Sequence, residues 1–292
     1  MALSGSIHGS SSLQTTAERN KLGENFGYEK FSPVYEAYMS TDIGRMNMVN
    51  YDNFYINGLY SNMNVAKTNY HIRGMGNTAI FAVCRGSGDN EDAFDQSRRV
   101  FEYLDEHRQK ILNAKSLNQV KDQLRKFTIA CNDMLTGDLT AHSDGISMII
   151  VVYAFSGAVY MSSGDNCRLY QIKNRSCVLL NKPTDRMGVK REHSFEIKRI
   201  KYVVKNRLIM NTELLPAPDG TLDLSDGGIK EKVVMLMNRI KSQAPERNHT
   251  CIAIETDQTK TIKLSTKITA IACAVVTAVS IINILVQSMP QG

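Results

Sequence analysis

No CxxC pair occurs among the six cysteines, which stand at 84, 131, 167, 177, 251 and 273. Their spacing excludes a zinc site of paired cysteines and suits reduced thiols rather than a disulfide framework. No basic block with interleaved aromatics is present, and the net charge is only +6. Nucleic-acid binding is therefore excluded as a function class. Residues 1 to about 20 contain no apolar segment, so no signal peptide is read there. Rich in Ser, Gly and Thr, the stretch 1–33 reads as a flexible arm. The His residues are scattered, and no His-based metal cluster is expected.

One absence is local. No charge falls between Ile268 and Val286, and Ile, Ala, Val and Leu dominate there. As a helix at about 1.5 Å per residue the run spans roughly 28 Å, close to the hydrocarbon thickness of a bilayer. A buried core helix would need a polar face, and this run has only scattered Thr, Ser and Asn283. The reading is a transmembrane helix over 268–287, its apolar surface carried by Ile268, Ile271, Val275, Val279, Ile282 and Leu285. A basic linker, 257–267, precedes it with Lys260, Lys263 and Lys267, and the short tail 288–292 follows. The lysines assign the main domain to the cytoplasmic side of a cell membrane, with a single-pass anchor.

Between arm and anchor, residues 34–256 read as one domain. A short strand, Phe54-Tyr55-Ile56, closes at Asn57-Gly58. Residues 61–78 are polar and read as a long surface loop. Strand 79–84 follows. Helical spacing runs from Asp92 to Leu112 through Phe94, Val100, Phe101, Leu104 and Ile111. A second helix starts at Ser116, a good N-cap with Gln119 three residues on. Its apolar face runs through Leu117, Val120, Leu124, Phe127, Cys131 and Met134. Period-2 segments and tight turns then suggest strands at 146–155, 158–161, 168–173, 177–180, 196–204 and 208–211. An amphipathic helix at 229–240 and a strand at 250–255 complete the domain. Hairpins in series with covering helices make an α+β sandwich rather than a parallel βαβ sheet.

Several local signals are set aside. His142-Ser143-Asp144 has triad-type residues, but adjacent side chains diverge and cannot form a catalytic triad. Gly74-Met75-Gly76 lacks the preceding strand and following helix of a dinucleotide fingerprint. Gly164-Asp165-Asn166 reads as a hairpin turn.

Five segments, in order, resemble the motifs of the bacterial metal-dependent Ser/Thr protein phosphatases of the PPM type. Thr41-Asp42-Ile43-Gly44 with Asn50-Tyr51-Asp52-Asn53-Phe54-Tyr55-Ile56-Asn57-Gly58 is similar to the first. Phe81 to Gly88 is similar to the apolar strand that ends in Asp-Gly-Met-Gly. Tyr160 to Tyr170 is similar to the hairpin with Val-Gly-Asp-Ser-Arg. Leu208 to Leu215 is similar to the strand leading into Ser-Asp-Gly-Leu. Arg247-Asn248-His249-Thr250 falls on the final Asp-Asn-Ile-Thr. The resemblance implies a sandwich of two antiparallel sheets flanked by helical layers. In active members it also implies two Mn²⁺ or Mg²⁺ ions, held mostly through waters by carboxylates and one backbone carbonyl. A water bridging those metals attacks phosphorus.

This chain departs from the pattern at the metal positions. Asp52 stands at the first ligand aspartate and Gly86 at the carbonyl ligand. Arg85 replaces the aspartate before that glycine, Glu213 replaces the aspartate of Ser-Asp-Gly, and Arg247 replaces the last one. Arg45 lies near the phosphate-gripping position, in a register that departs from the usual one. An arginine cannot bind a cation, since its guanidinium is permanently charged. Arg85 and Arg247 against Asp52 and Glu213 sum to zero, as two divalent ions against four carboxylates do. One reading places Arg85 in the bridging metal's space, bidentate on Asp52; the other has it point to solvent at a loop, with nothing in place of the metals.

The resemblance with these departures implies a catalytically inactive protein without a metal cofactor, and the charge-free run adds a membrane tether. Its partner would be a phosphoprotein, a kinase or a membrane complex held by the old substrate cleft. The rival is an active Mn- or Mg-dependent Ser/Thr phosphatase using Asp52, Gly86 and Glu213. A third reading is a structural subunit of a membrane assembly, where Asn283 would meet a partner helix.

Overall fold

Near-continuous apolar runs set the two central strands of the domain. In β5 (Thr78–Gly86) and β6 (Ile146–Ala154) nearly every residue is buried, because both faces of these strands are covered. Ile80, Ala82 and Cys84 of β5 point to one side with Ile146, Met148, Ile150 and Val152 of β6. Ala79, Phe81 and Val83 point to the other with Ile149, Val151 and Tyr153. The chain thereby builds two cores from one pair of strands.

A computed structural model describes residues 34–45, 47–75, 78–87, 91–137, 144–155, 157–173, 176–200, 206–213 and 228–257. All of them fall within one compact unit, Ser32–Gln258. The remaining elements are β1 (Val34–Asp42), β2 (Asp52–Ile56), β3 (Leu59–Tyr60), β4 (Lys67–Met75), α1 (Glu91–Leu112), α2 (Leu117–Gly137), β7 (Gly157–Ser163), β8 (Arg168–Lys173), β9 (Ser176–Leu179), β10 (Glu196–Ile200), β11 (Asn206–Asn211), α3 (Ile229–Gln243) and β12 (His249–Asp257). One six-stranded sheet runs β4-β1-β12-β11-β8-β9 and the other β10-β7-β6-β5-β2-β3. The strand pairings of both are antiparallel.

The two sheets face each other across Met39, Phe54, Phe81, Val151, Leu208, Met210 and Ile252. Helices α1 and α2 cover the outer face of the second sheet with Val100, Phe101, Leu104, Leu124 and Phe127. Helix α3 covers the outer face of the first with Val233, Leu236, Met237 and Ile240, set against Tyr38, Ile209 and Cys251. The result is a four-layer α+β sandwich. Ser116 Oγ accepts the Gln119 N–H at 3.2 Å at the start of α2, while the Gln119 side-chain carbonyl accepts from Lys115 N at 2.7 Å. The Asn57-Gly58 turn after β2 has φ of 51° and 100°. Two positive φ values are what a type I′ hairpin requires.

Three strands depart from the sequence reading, the shortest being β3, which returns beside β2 after the Asn57-Gly58 turn. The polar segment 61–78 contains β4, an edge strand paired along its whole length with β1. Its outward residues Lys67, Asn69, His71 and Arg73 are exposed while Tyr70 and Ile72 pack on the inter-sheet core. Polar outward residues protect an edge from unwanted pairing and make it resemble a loop in sequence. Strand β1, between β4 and β12, was not expected as an element, because Glu36, Ser40 and Thr41 interrupt its apolar positions Ala37 and Met39.

Among the described residues no helix is long and apolar enough to cross a membrane. The run 268–287, with Ile268, Ile271, Val275, Val279, Ile282 and Leu285, lies outside the described residues, as do the arm 1–33 and His142 and Ser143.

Candidate functional site

Strands from both sheets end at the same edge of the sandwich. Asp52 opens β2 and Arg85 nearly closes β5, and the register sets them directly opposite each other. From the other sheet, Thr212 and Glu213 follow β11, and Arg247 precedes β12, which pairs with it. Sheet pairing thus fixes the acid and the arginine, while sheet-on-sheet packing brings in the second acid.

Arg85 spans the gap between the sheets. Its Nη1 donates to the Thr212 carbonyl at 2.9 Å and pairs with Glu213 Oε1. Its Nε stands 3.8 Å from Asp52 Oδ1. The expected bidentate pair with Asp52 is not what forms. One Asp52 oxygen, Oδ2, accepts the Thr212 hydroxyl, and Arg85 approaches the other. That remaining oxygen, Oδ1, is buried without a hydrogen-bond partner. The Tyr51 ring lies beneath the guanidinium, 5.4 Å from Arg85 Cζ to the ring centroid, within range of a cation–π contact.

Burial pushes the Asp52 carboxyl up to about 6, against the pull of Arg85 and the Thr212 hydroxyl. Burial works against the charge of Arg85 as well, but the Asp52 and Glu213 carboxylates outweigh it and hold its pKa above the ordinary value. The guanidinium is thus a fixed cation between two acids.

The outer residues are less enclosed. Arg247 Nη1 stands 3.5 Å from both Glu213 oxygens, with its side chain 57% exposed. Gly86 donates its N–H to the Tyr51 carbonyl at 3.1 Å. A Cβ on Gly86 would lie 2.2 Å from the Ala93 carbonyl oxygen, so α1 packs where only glycine fits. Arg45 is exposed and its N–H bonds the Pro245 carbonyl at 2.9 Å. Among the described residues no hydrogen bond or ion pair joins its side chain to Asp52, Arg85 or Glu213.

Thr212, Thr250 and Tyr51 were not singled out in the sequence. Thr212 is fully buried, and its Oγ1 accepts the Thr250 N–H at 3.0 Å. Thr250 in turn shares a hydroxyl contact of 2.7 Å with Thr41, whose Oγ1 accepts from Asn50 at 3.0 Å. This polar ladder backs the Asp52 carboxylate. Each member lay inside a motif segment, but a threonine at a strand end carries no signal of its own.

The Gly164-Asp165-Asn166 turn serves the scaffold. Ser147 Oγ accepts the backbone N–H of Asp165 and Asn166 at 3.3 Å, and the Asp165 carboxylate takes Arg186 Nε at 2.7 Å.

The donor set does not suit a pair of divalent ions. Both carboxylates face a guanidinium that occupies the space between them, and among the described residues no three His, Cys, Asp or Glu come together to hold a metal.

Neither a protein-family model nor a curated protein sequence matches the chain. Its fold does match solved structures. A bacterial serine phosphatase is 19% identical with a TM-score of 0.59, the match covering 77% of this chain and 98% of that one. The Mycobacterium tuberculosis serine/threonine phosphatase PstP/Ppp is 14% identical with a TM-score of 0.56, covering 77% and 99%. RsbX, solved in complex with magnesium, is 13% identical with a TM-score of 0.57, covering 79% and 98%. The domain has the fold of the bacterial PPM-type Ser/Thr phosphatases.

Proposed function

We propose that this protein is a catalytically inactive member of that fold, tethered to a membrane by the run Ile268–Val286, which binds a phosphorylated protein or a kinase through the cleft at Arg85. The observation that carries the reading is the guanidinium of Arg85 between Asp52 and Glu213. Hydrolysis on this fold needs a water acidified by metal ions. A guanidinium cannot coordinate water as a Lewis acid does, and it stays protonated, so it cannot serve as a general base. The magnesium in RsbX favours the opposite reading, an enzyme that still loads Mn²⁺ or Mg²⁺ at Asp52, Gly86 and Glu213.

One assay separates the two. Detergent-solubilised full-length protein in millimolar Mn²⁺ should hydrolyse p-nitrophenyl phosphate no faster than buffer. Turnover that requires Mn²⁺ and disappears in Asp52→Ala would establish the enzyme instead.

The tether has its own support in the charge-free run and the preceding lysines, whose interfacial placement favours a cytoplasmic domain. Full-length protein should sediment with membranes and resist carbonate extraction. A chain cut before Ile268 should stay in the supernatant. Full-length protein found soluble would remove the membrane from the proposal.

A further inference from the structure

Glu213 has a guanidinium on each side. Arg85 Nη1 pairs with Oε1 from within, and Arg247 Nη1 reaches both oxygens at 3.5 Å from the solvent side. The two arginines are not equivalent. The side chain of Arg85 is 8% exposed and that of Arg247 57%. At 3.5 Å the outer contact sits at the limit of hydrogen bonding, so the outer guanidinium is poorly satisfied by the carboxylate it faces.

Two guanidinia converging on one anion are better matched to a phosphomonoester than to a carboxylate. The phosphate brings close to two charges and three acceptor oxygens, against one charge and two oxygens. Glu213 can also leave without disturbing β11, which ends at Asn211. Its carbonyl is held by Asn211 Nδ2 at 2.9 Å, so the side chain can swing while the backbone stays. Asp52 does not block the exchange, since it lies behind Arg85 and its Oδ2 is engaged by Thr212.

We propose that Glu213 is a resident anion in a phosphomonoester site built from Arg247 and Arg85, and that a phosphorylated serine or threonine side chain enters by displacing the Glu213 carboxylate. The inference rests on reading the cleft as a binding site for a phosphorylated protein, and it adds the two arginines that would grip the phosphate and the group that holds the site closed. Removing the resident charge should open it.

The test is calorimetric titration of full-length protein in detergent with O-phosphoserine, in EDTA and at constant ionic strength. Wild type should bind weakly. Glu213→Gln, which keeps the shape and an acceptor for Arg85, should bind at least about tenfold tighter, a difference of about 1.4 kcal/mol. Adding Arg247→Ala should abolish that gain. If Glu213→Gln fails to fold, Glu213→Asp, with its carboxylate drawn back from Arg247, should show a smaller gain of the same sign. Equal affinities in wild type and the Glu213 variants would overturn the inference, as would a gain that survives Arg247→Ala. A gain equally large for acetate would overturn the ligand class. The titration uses no metal, so Mn²⁺-dependent turnover, which would defeat the inactive reading, leaves this outcome independent.

Discussion

Arg85→Ala should lower the stability of the domain by about 3–5 kcal/mol, the range for removing one partner of a buried ion pair. Arg85 is 7% exposed and Asp52 3%. Without the guanidinium the Asp52 carboxylate keeps the Thr212 hydroxyl but no cation beside it, and the Thr212 carbonyl loses its donor. An exposed pair would cost under about 1 kcal/mol, so the urea midpoint decides between the two situations. Arg85→Met, which retains much of the apolar stem, should be nearly as damaging, because the loss comes from the stranded acids rather than from packing. The triple variant Arg85→Met, Asp52→Asn, Glu213→Gln should regain most of the loss, since neutralising every partner leaves no unpaired charge. A midpoint unchanged in Arg85→Ala would mean that water already reaches the cluster.

Asp52 should give the domain an acid-side stability that fades towards neutrality. Its folded pKa, about 6, lies above the ordinary aspartate value. Between those two values the folded state holds more protons than the unfolded state, so stability falls as pH rises through the window from about 4 to about 6. A shift of about two units corresponds to roughly 3 kcal/mol. The sign is opposite to that of Asp165 and Asp185, whose pKa values are lowered, the first mainly by its hydrogen bond with Arg186 and the second mainly by the Ser194 backbone N–H. The informative quantity is therefore the difference between wild type and Asp52→Asn. Measured by urea unfolding from pH 4 to pH 7, wild type should lose stability relative to the variant. Parallel curves would show that Asp52 is ionised in the fold at an ordinary pKa.

Much of the architecture was legible because its determinants are local. The continuous apolar runs Ala79–Cys84 and Ile146–Ala154, the helical stripes through Val100–Ile111 and Val120–Cys131, and the Asn57-Gly58 turn each express themselves within a few residues. The residue types at the site were legible in the same way, since Asp52, Arg85, Gly86, Glu213 and Arg247 each sit at a strand end inside a recognisable segment. Strands β1 and β4 were not, because at β4 an edge position replaces apolar residues with charge, and at β1 polar groups are tolerated where neighbouring strands satisfy them.

The pairing across the two sheets was decided by tertiary structure alone. Asp52 and Arg85 face each other through β2–β5 register, a relation that strand alternation already limits. Glu213 is 128 residues from Arg85 in sequence, and Thr212 is 160 from Asp52. Those contacts exist because two sheets pack face to face with β11 and β5 ending at the same edge. No periodicity carries that information. The reach of one guanidinium across the gap, and the preference of a buried carboxylate for the nearest hydroxyl, depend on side-chain distances that only the packed sandwich sets.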